Sequence, residues 1–334
     1  MTAAGEIGVR LLRPGEAPSL IALIRACYGE TYIDPSFYDQ GAIERLYSEG
    51  RLHSIGAFAA SDRLVGHMGI SMRQYGRLSA DAGMTLVDPE FRGRGIARAV
   101  AVGLAQQSVA LGLVGVHDYP VTVHAATQRI GAGFGIDTGL MLANVPADVE
   151  FHEIENAAPG ARTNSLIRWL PFGRAPERTV YLPARYREQI ESSYAAAHLQ
   201  RRSVSADLEL APGAAELGSE YDMRRRILRI AVRHSADDLP AKVRAERSSA
   251  TARGALLAHI DLPLGDPATP AAVEALRAEG FFFAGLLPEL RDGDALRLQC
   301  LSDSVDDSAS SVLSSDATRA IEAYVLDDRA ACQA

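Results

Sequence analysis

A strand, a proline and two glycines meet within one short stretch of the chain, and this stretch constrains the fold most. Residues 78–87 have the composition of a strand, Pro89 ends it, and the turn at residues 92–95 (Arg-Gly-Arg-Gly) opens a helix over residues 96–111. A helix N-terminus presents unsatisfied N–H groups and a positive dipole end, and glycine lets an anion approach the backbone. The sequence therefore predicts an α/β chain with a turn that binds phosphate or pyrophosphate.

The spacing of these glycines separates the turn from two other phosphate loops. It lacks the Gly-x-Gly-x-x-Gly pattern of dinucleotide-binding folds, and no Lys-Ser/Thr follows as in a P-loop. An ordinary glycine-containing turn is the remaining alternative.

The segments around this turn alternate between strand and helix patterns. Apolar residues at helical spacing indicate two helices near the start, and short apolar runs between turn residues indicate strands. The predicted strands are 9–13, 54–60, 64–72, 114–119 and 138–145, and the predicted helices are 17–28, one ending near 48, and 124–132.

Together with this order of elements, the pattern Arg92-x-x-Gly95-x-Ala97, preceded by Val87-Asp-Pro-Glu-Phe, resembles the signature of the GNAT acyltransferase superfamily. The resemblance implies a GNAT-like fold, with acetyl-CoA or another acyl-CoA as co-substrate and no metal. It also implies that two neighbouring strands splay apart beside the pantetheine arm to admit the thioester. The residues that it assigns to the coenzyme are Leu86, Val87, Arg92, Gly93, Arg94, Gly95, Ile96, Ala97 and His124.

The helix predicted at residues 124–132 departs from the family pattern. His124 falls where the family often has asparagine, and Gly131 falls where it often has the tyrosine that reprotonates the leaving thiolate. Tyr119 and His117 are weak substitutes for that acid. His124 could serve as the acid, bind the coenzyme or have a structural role.

The resemblance also implies a base that takes a proton from the substrate ammonium. A glutamate about six residues before the valine often does this in the family, and Asp81 has that offset from Val87. A carboxylate in a partly dry cleft would have a raised pKa suited to the task, whereas the alternative is a solvated aspartate at a strand start. His67, on the preceding strand, is a second candidate for a base or a substrate contact.

The loop after the first helix often covers the acceptor site in this fold. It contains Tyr28, Glu30 and Tyr32, which could form a wall suited to a cationic amine. The alternative is that Tyr28 is core and the acids are solvated. Cys27 lies on the apolar face of its helix and indicates core packing, not a nucleophile.

The length of 334 residues favours two domains. We predict a GNAT acyl-CoA-binding catalytic domain at 1–148, a linker or wrapping segment at 149–178, and a second α/β domain at 179–334. Residues 124–140 and 269–285 share a helix, a Gly-hydrophobic pair and a strand with Gly-Leu, which suggests an internal repeat. The second copy has no Arg-x-x-Gly-x-Ala turn, so it is a degenerate GNAT-like domain without a coenzyme loop, or else a generic α/β domain.

Composition and charge exclude several classes of function. A net charge of -8 argues against broad capture of nucleic acid, and no apolar run approaches a membrane helix. The start of the chain has no signal-peptide pattern, and three distant cysteines fit a reduced cytoplasm without a disulfide framework or a zinc motif. We expect a cytoplasmic protein that binds neither nucleic acid nor membrane, and a homodimer is compatible with the sequence.

The combined expectation is an N-acetyltransferase that moves an acetyl group from acetyl-CoA to a primary amine of a small molecule by direct attack. The alternatives are a non-catalytic acyl-CoA-binding regulatory module, a protein or peptide amine acetyltransferase, and another acyl reaction on the same scaffold.

Overall fold

One mixed sheet runs through both halves of the chain. A computed structural model describes residues 7–72, 76–131, 133–150, 161–206, 209–306 and 311–333. In these residues twelve strands form the sheet in the order β1-β2-β3-β4-β5-β7-β6-β13-β14-β12-β11-β10, and β8 and β9 form a separate pair. The strands are β1 (Gly8–Leu11), β2 (Leu52–Phe58), β3 (Leu64–Ser71), β4 (Ser79–Val87), β5 (Gly115–Asp118), β6 (Ile136–Val145), β7 (Thr163–Pro171), β8 (Arg178–Val180), β9 (Arg201–Ser203), β10 (Glu216–Asp222), β11 (Ile227–His234), β12 (Leu257–Pro263), β13 (Phe282–Leu287) and β14 (Ala295–Leu301).

The helices pack on this sheet through apolar stripes. In α3, Ile96, Val100 and Leu104 are four residues apart, and all three are buried in the same cluster as β3. The helices are α1 (Ala17–Tyr28), α2 (Gln40–Ser48), α3 (Ile96–Ala110), α4 (Ala126–Ile130), α5 (Arg187–Ala196), α6 (Leu239–Ala252), α7 (Thr269–Arg277) and α8 (Asp316–Gln333). No helix within the described ranges is long and apolar enough to span a membrane.

Strands β4 and β5 separate part of the way along their length. They are parallel neighbours and pair only from Ser79↔Gly115 to Asp81↔His117, although β4 continues to Val87. The register of β4 against β3 also shifts here, and Met84 has a positive φ of 52°. The predicted splaying of two strands is therefore confirmed, and it opens a gap in the middle of the sheet.

Strand β7 corrects the expectation of an irregular segment over residues 149–178. Thr163–Pro171 pairs with β5 on one side and β6 on the other, and Trp169 is completely buried. The strand is buried on both faces and includes buried polar residues (Asn164, Ser165 and Arg168), so its sequence lacks the alternation of a half-buried strand and is hard to recognise. Residues 151–160 lie outside the described residues, and the three predicted domain limits stay a prediction.

The second half repeats the strand pattern of the first. In β10–β14, the first pair is antiparallel, β11 and β12 are parallel, and β14 inserts antiparallel between β12 and β13. Strands β3–β7 have the same order and directions. The register makes Asp81 equivalent to Arg229, since they pair with His117 and His259 respectively.

The stretch between β14 and α8 contacts the first half of the chain. The backbone N–H of Val312 donates to the Thr122 carbonyl at 2.7 Å, and the Gln128 side chain donates to the Val312 carbonyl at 2.8 Å. These bonds hold the end of the loop against the first half. Residues 307–310 lie outside the described residues.

The two halves meet at a pair of glycines. Strands β6 and β13 pair at Gly139↔Gly285, and a Cβ at Gly139 would lie 2.0 Å from the Ala284 carbonyl oxygen. We expect Gly139→Val to lower the free energy of unfolding by about 3 kcal/mol, because backbone must move to admit the side chain. Gly218→Val, on strand β10 with no atom within 4 Å of its Cβ, is the control. Equal urea midpoints for the two variants would contradict this description of the joint.

Candidate active site

The turn before α3 has the backbone shape that its glycines predict. Gly93 and Gly95 have φ values of 75° and 76°, and Gly95 caps the N-terminus of α3. Asp88 supports the turn, because it accepts from the Glu90 N–H at 3.1 Å and from Arg63 at 2.5 Å. The amides of the turn and of the first helical residues are thus held where they can receive an anion.

A cavity of about 290 Å³ lies against this turn, the end of β4 and α4. It collects most of the residues predicted for the coenzyme. Those that line it are Leu86, Val87, Arg92, Gly93, Gly95, Ile96, Ala97 and His124, joined by Cys27, Tyr28, Thr85, Phe91, Ala126, Thr127 and Ile130. Cys27 is buried, as expected of a core residue, and burial raises its thiol pKa to about 11.

The side chain of Arg94 does not line this cavity, and the predicted contact of its backbone amide with the coenzyme stays a prediction. Its guanidinium donates to the Glu90 carbonyl at 3.0 Å and lies 4.8 Å from the centre of the Phe91 ring. Only the backbone of Arg94 remains part of the turn.

His124 lies at the boundary between this cavity and a second one. Its Nδ1 accepts the Ala126 N–H at 3.1 Å, so a neutral ring carries its proton on Nε2. Burial, and then Arg92, lower the pKa of His124 below its usual value. The ring is therefore suited to donate a hydrogen bond and less suited to act as an imidazolium acid.

The absence of a tyrosine at position 131 has a structural reason. A Cβ on Gly131 would lie 2.7 Å from Arg168 Nη1, and Arg168 forms a buried ion pair with Asp137 at 2.6 Å. A larger side chain would displace that pair. Thr127, one turn earlier, lines both cavities, and its buried hydroxyl has no hydrogen-bond partner in the part of the chain that the structure describes. Sequence reasoning missed Thr127.

The second cavity has a volume of about 330 Å³ and adjoins the first at Tyr28, Thr85, His124 and Thr127. Both halves of the chain form its walls. The first half contributes Asp34, Asp81, Asp118, Tyr28 and Tyr32, and the second half contributes Arg225, Arg229, Arg297 and His259.

Asp118 is a carboxylate that sequence reasoning missed. It is the last residue of β5, beyond the point where β4 and β5 separate, and its Oδ1 accepts the Tyr119 N–H at 3.0 Å. Burial raises the pKa of Asp118 to about 6, and Arg168 opposes that rise. Its place at the carboxyl end of a parallel strand is the signal that could have identified it. Asp81, the predicted base, lines the same cavity.

His67 does not reach either cavity, which corrects its assignment as a base or substrate contact. Its ring is fully buried and bonds the Met84 carbonyl at 3.0 Å and the Ser54 hydroxyl at 2.8 Å. Burial lowers the pKa of His67 to about 4. The ring therefore supports the irregular part of β4 and stays neutral. His117, the weak substitute acid, is also fully buried, 5.0 Å from the Trp169 ring.

The loop after α1 contributes two of its three predicted contacts. Tyr28 and Tyr32 line the second cavity with their rings 5.1 Å apart. Glu30 is a correction, because its side chain is 69% exposed and pairs with Arg25 at 2.7 Å on the surface. No group of three His, Cys, Asp or Glu side chains within the described ranges could hold a metal ion.

The glycine turn lies at a helix N-terminus, beside a strand that leaves its parallel neighbour, and this arrangement is suited to bind a phosphorylated ligand. Residues 17–120 match the family model described as "Acetyltransferase (GNAT) family". This match supports a GNAT acetyltransferase domain in the first half of the chain, and the general activity of that family is acyl-CoA-dependent acyl transfer.

Solved structures similar to this chain cover about half of it. A GNAT family N-acetyltransferase (YhbS) from Escherichia coli, in complex with CoA, is 16% identical over 50% of this chain and 84% of its own, with a TM-score of 0.33. The putative acetyltransferase yncA from Salmonella typhimurium, with acetyl-CoA, is 11% identical over 52% and 97%, with a TM-score of 0.42. A chimera of spermidine N-acetyltransferase SpeG from Vibrio cholerae and hSSAT is 16% identical over 50% and 96%, with a TM-score of 0.39. No curated protein matches this chain.

Proposed function

We propose that this protein is an N-acetyltransferase that transfers an acetyl group from acetyl-CoA to the primary amine of a small molecule. One observation carries the proposal: the cavity beside the glycine turn shares part of its wall with a second cavity, which carboxylates line near the gap between β4 and β5. The first cavity fits a phosphorylated donor, and the second fits an amine acceptor.

The residues of the first cavity fit the coenzyme. Side chains at Gly93 and Gly95 would meet no atom within 4 Å, so the turn leaves room for a pyrophosphate beside the α3 N-terminus. The Arg92 guanidinium lines the same cavity and adds positive charge. Leu86 and Val87 form the wall where β4 has lost its neighbour, and a pantetheine arm would lie there. Bound acetyl-CoA supplies the activated thioester.

Two carboxylates of the second cavity, Asp118 and Asp81, are proposed to have different roles. Asp118 is the proposed base, because a group with a pKa near 6 is deprotonated at neutral pH and still accepts a proton readily. Asp81 is proposed to hold the ammonium group, and Tyr28 and Tyr32 to enclose it. Once its proton is removed, the amine attacks the acyl carbon directly, a C–N bond forms and the C–S bond breaks.

The leaving sulfur needs a hydrogen-bond donor, and the usual tyrosine is absent. The Nε2–H of neutral His124 and the hydroxyl of Thr127 are proposed for this role, since both residues line the boundary of the two cavities. We expect Thr127→Val to lower kcat about 10-fold, with little change in the dissociation constant of acetyl-CoA. Thr251→Val, on α6 and remote from both cavities, is the control for a threonine on a helix.

Calorimetry with acetyl-CoA, followed by thiol release against a panel of small amines, tests the proposed function. Binding together with release, and a product mass increased by one acetyl group, is the expected result. Binding without release from any amine or peptide would favour a regulatory module that senses acyl-CoA. An absence of binding would overturn the proposed donor site.

A further inference from the structure

We propose that the second half of the chain forms an anion-binding subsite in the acceptor cavity, so that the acceptor carries a carboxylate or phosphate group near its amine. This inference rests on the proposed function and names the substrate class for that site. Four side chains carry it: Arg225, Arg229, His259 and Arg297.

Three of these side chains lie on one face of the sheet. Arg229 on β11 is the register partner of His259 on β12, and Asp261, two residues further along β12, is the partner of Arg297 on β14. Residues two apart in a strand share a face, and so do register partners. The three neighbouring strands therefore present two guanidinium groups and an imidazole to the same cavity.

The charge of this cluster is not balanced by its own carboxylates. Asp222 is shared by Arg225 at 2.9 Å and Arg229 at 3.0 Å, and Asp261 binds Arg297 at 2.7 Å. Three guanidinium groups thus share two carboxylates. Each guanidinium has five N–H donors, and Arg225 and Arg229 use only part of theirs on Asp222, so both leave donors for a further anion.

His259 is a second, independent sign of a ligand. The residue is 2% exposed and lines the cavity, and its Nε2 has no hydrogen-bond partner in the described chain. Buried polar atoms are rarely left unsatisfied, and those that are need an explanation. Burial, with Arg297 and Arg229 nearby, holds the pKa of His259 well below its usual value. A neutral imidazole in a positive environment is suited to donate a hydrogen bond to an anion.

The two halves of the chain contribute opposite charges to the cavity. Asp81 and Arg229 occupy equivalent positions in the two halves, and both line this one cavity. An acceptor with an ammonium group and an anionic group would complement both charges. A simple polyamine would bring further positive charge to the arginines, which costs free energy in a partly dry cavity. Charge complementarity therefore favours amino acids and aminoalkyl phosphates over plain amines.

Paired acceptors test the inference. Amino acids are compared with their decarboxylated amines, and aminoalkyl phosphates with the parent amino alcohols, by kcat/KM of thiol release. For the better anionic acceptor, we expect kcat/KM to be at least 10-fold higher than for the matched amine that lacks the anionic group. Arg229→Met should remove most of that preference and leave the dissociation constant of acetyl-CoA unchanged. Arg233→Met, an exposed residue on the same strand that does not line the cavity, should preserve it.

A second variant and a binding measurement test the subsite if Arg229→Met is unstable or if no turnover is seen. If Arg229→Met melts at a lower temperature than the unmodified protein, Arg225→Met, which removes the other guanidinium group that pairs with Asp222, replaces it. Calorimetry of the same acceptors with the CoA-bound protein reports anion binding without turnover. The subsite would be overturned if both members of every pair bound equally well. It would also be overturned if Arg229→Met lowered kcat/KM equally for both members. Preferential binding of anionic members without any turnover would support the subsite and contradict the transferase activity.

Discussion

Replacing Gly95 with aspartate should weaken acetyl-CoA binding by at least 100-fold. Gly95 has a φ of 76°, which only glycine adopts at low cost, and it caps the N-terminus of α3. A carboxylate at this position adds strain and puts a negative charge where the pyrophosphate is proposed to bind. Calorimetric titration with acetyl-CoA measures the change.

A matched control separates strain from the loss of the anion site. Gly112 follows the other end of α3, has a φ of 74°, and has no atom within 4 Å of its Cβ. Gly112→Asp therefore carries the same backbone strain at a distance from the turn. We expect the two variants to lose similar stability and only Gly95→Asp to lose binding. Unchanged affinity in Gly95→Asp would refute the assignment of the turn.

Replacing Asp118 with asparagine should lower kcat by about 100- to 1,000-fold, because the amide cannot take the proton from the acceptor ammonium. Acetyl-CoA affinity should stay the same, since Asp118 does not line the first cavity. In the unmodified protein, kcat/KM should rise with pH through about 6 and level off above it, because the base must be deprotonated in the free enzyme. The variant should lose this rise.

The stability of the same variant should depend on pH with a defined sign. The pKa of Asp118 is raised from 3.8 to about 6 in the folded protein, so bound protons stabilise the fold below about pH 4. This contribution is lost as the pH rises through 6. Asp118→Asn should therefore melt at a higher temperature than the unmodified protein at pH 8, and the difference should shrink at pH 4. A lower melting temperature for Asp118→Asn than for the unmodified protein at pH 8 would contradict the raised pKa of Asp118.

Two further variants distinguish the carboxylates of the acceptor cavity. Asp81→Asn should raise KM for the acceptor more than it lowers kcat, because Asp81 is proposed to bind the ammonium group. Asp34→Asn removes a negative charge from the same cavity and keeps a residue suited to its capping of Ser36, so it controls for net charge. If Asp81→Asn loses kcat and Asp118→Asn does not, Asp81 is the base.

The second half of the chain shares strand order with the first but differs in charge and in the turn before its crossover helix. Strand β11 leads to α6 through residues 235–238, Ser-Ala-Asp-Asp, which contain no glycine to receive an anion. We infer that the second copy contributes the far wall of the acceptor cavity and no donor site of its own. This division explains why a chain with one glycine turn of this kind has two copies of the strand pattern in one sheet.

Local features of the sequence were enough to predict the glycine turn. The turn at residues 92–97 depends on the conformational freedom of two glycines, Gly93 and Gly95, and on the dipole of the helix that follows. Both causes act within a few residues, so the pattern alone predicted the backbone geometry. The strands and helices with clear periodicity were predictable for the same reason. Strand β7 was not, because a strand buried on both faces has no alternation.

The acceptor cavity was decided by the tertiary structure. Asp118, Arg229 and Arg297 lie far apart in sequence, and only the pairing of β6 with β13 brings their strands into one sheet. The direction of each side chain follows from strand register, and register depends on partners elsewhere in the chain. For this reason His67 and Glu30 were predicted at the site and lie away from it, one in the core and one on the surface. A site formed by residues close together in the sequence could be predicted from the sequence, whereas a site formed by residues on several strands required the tertiary structure.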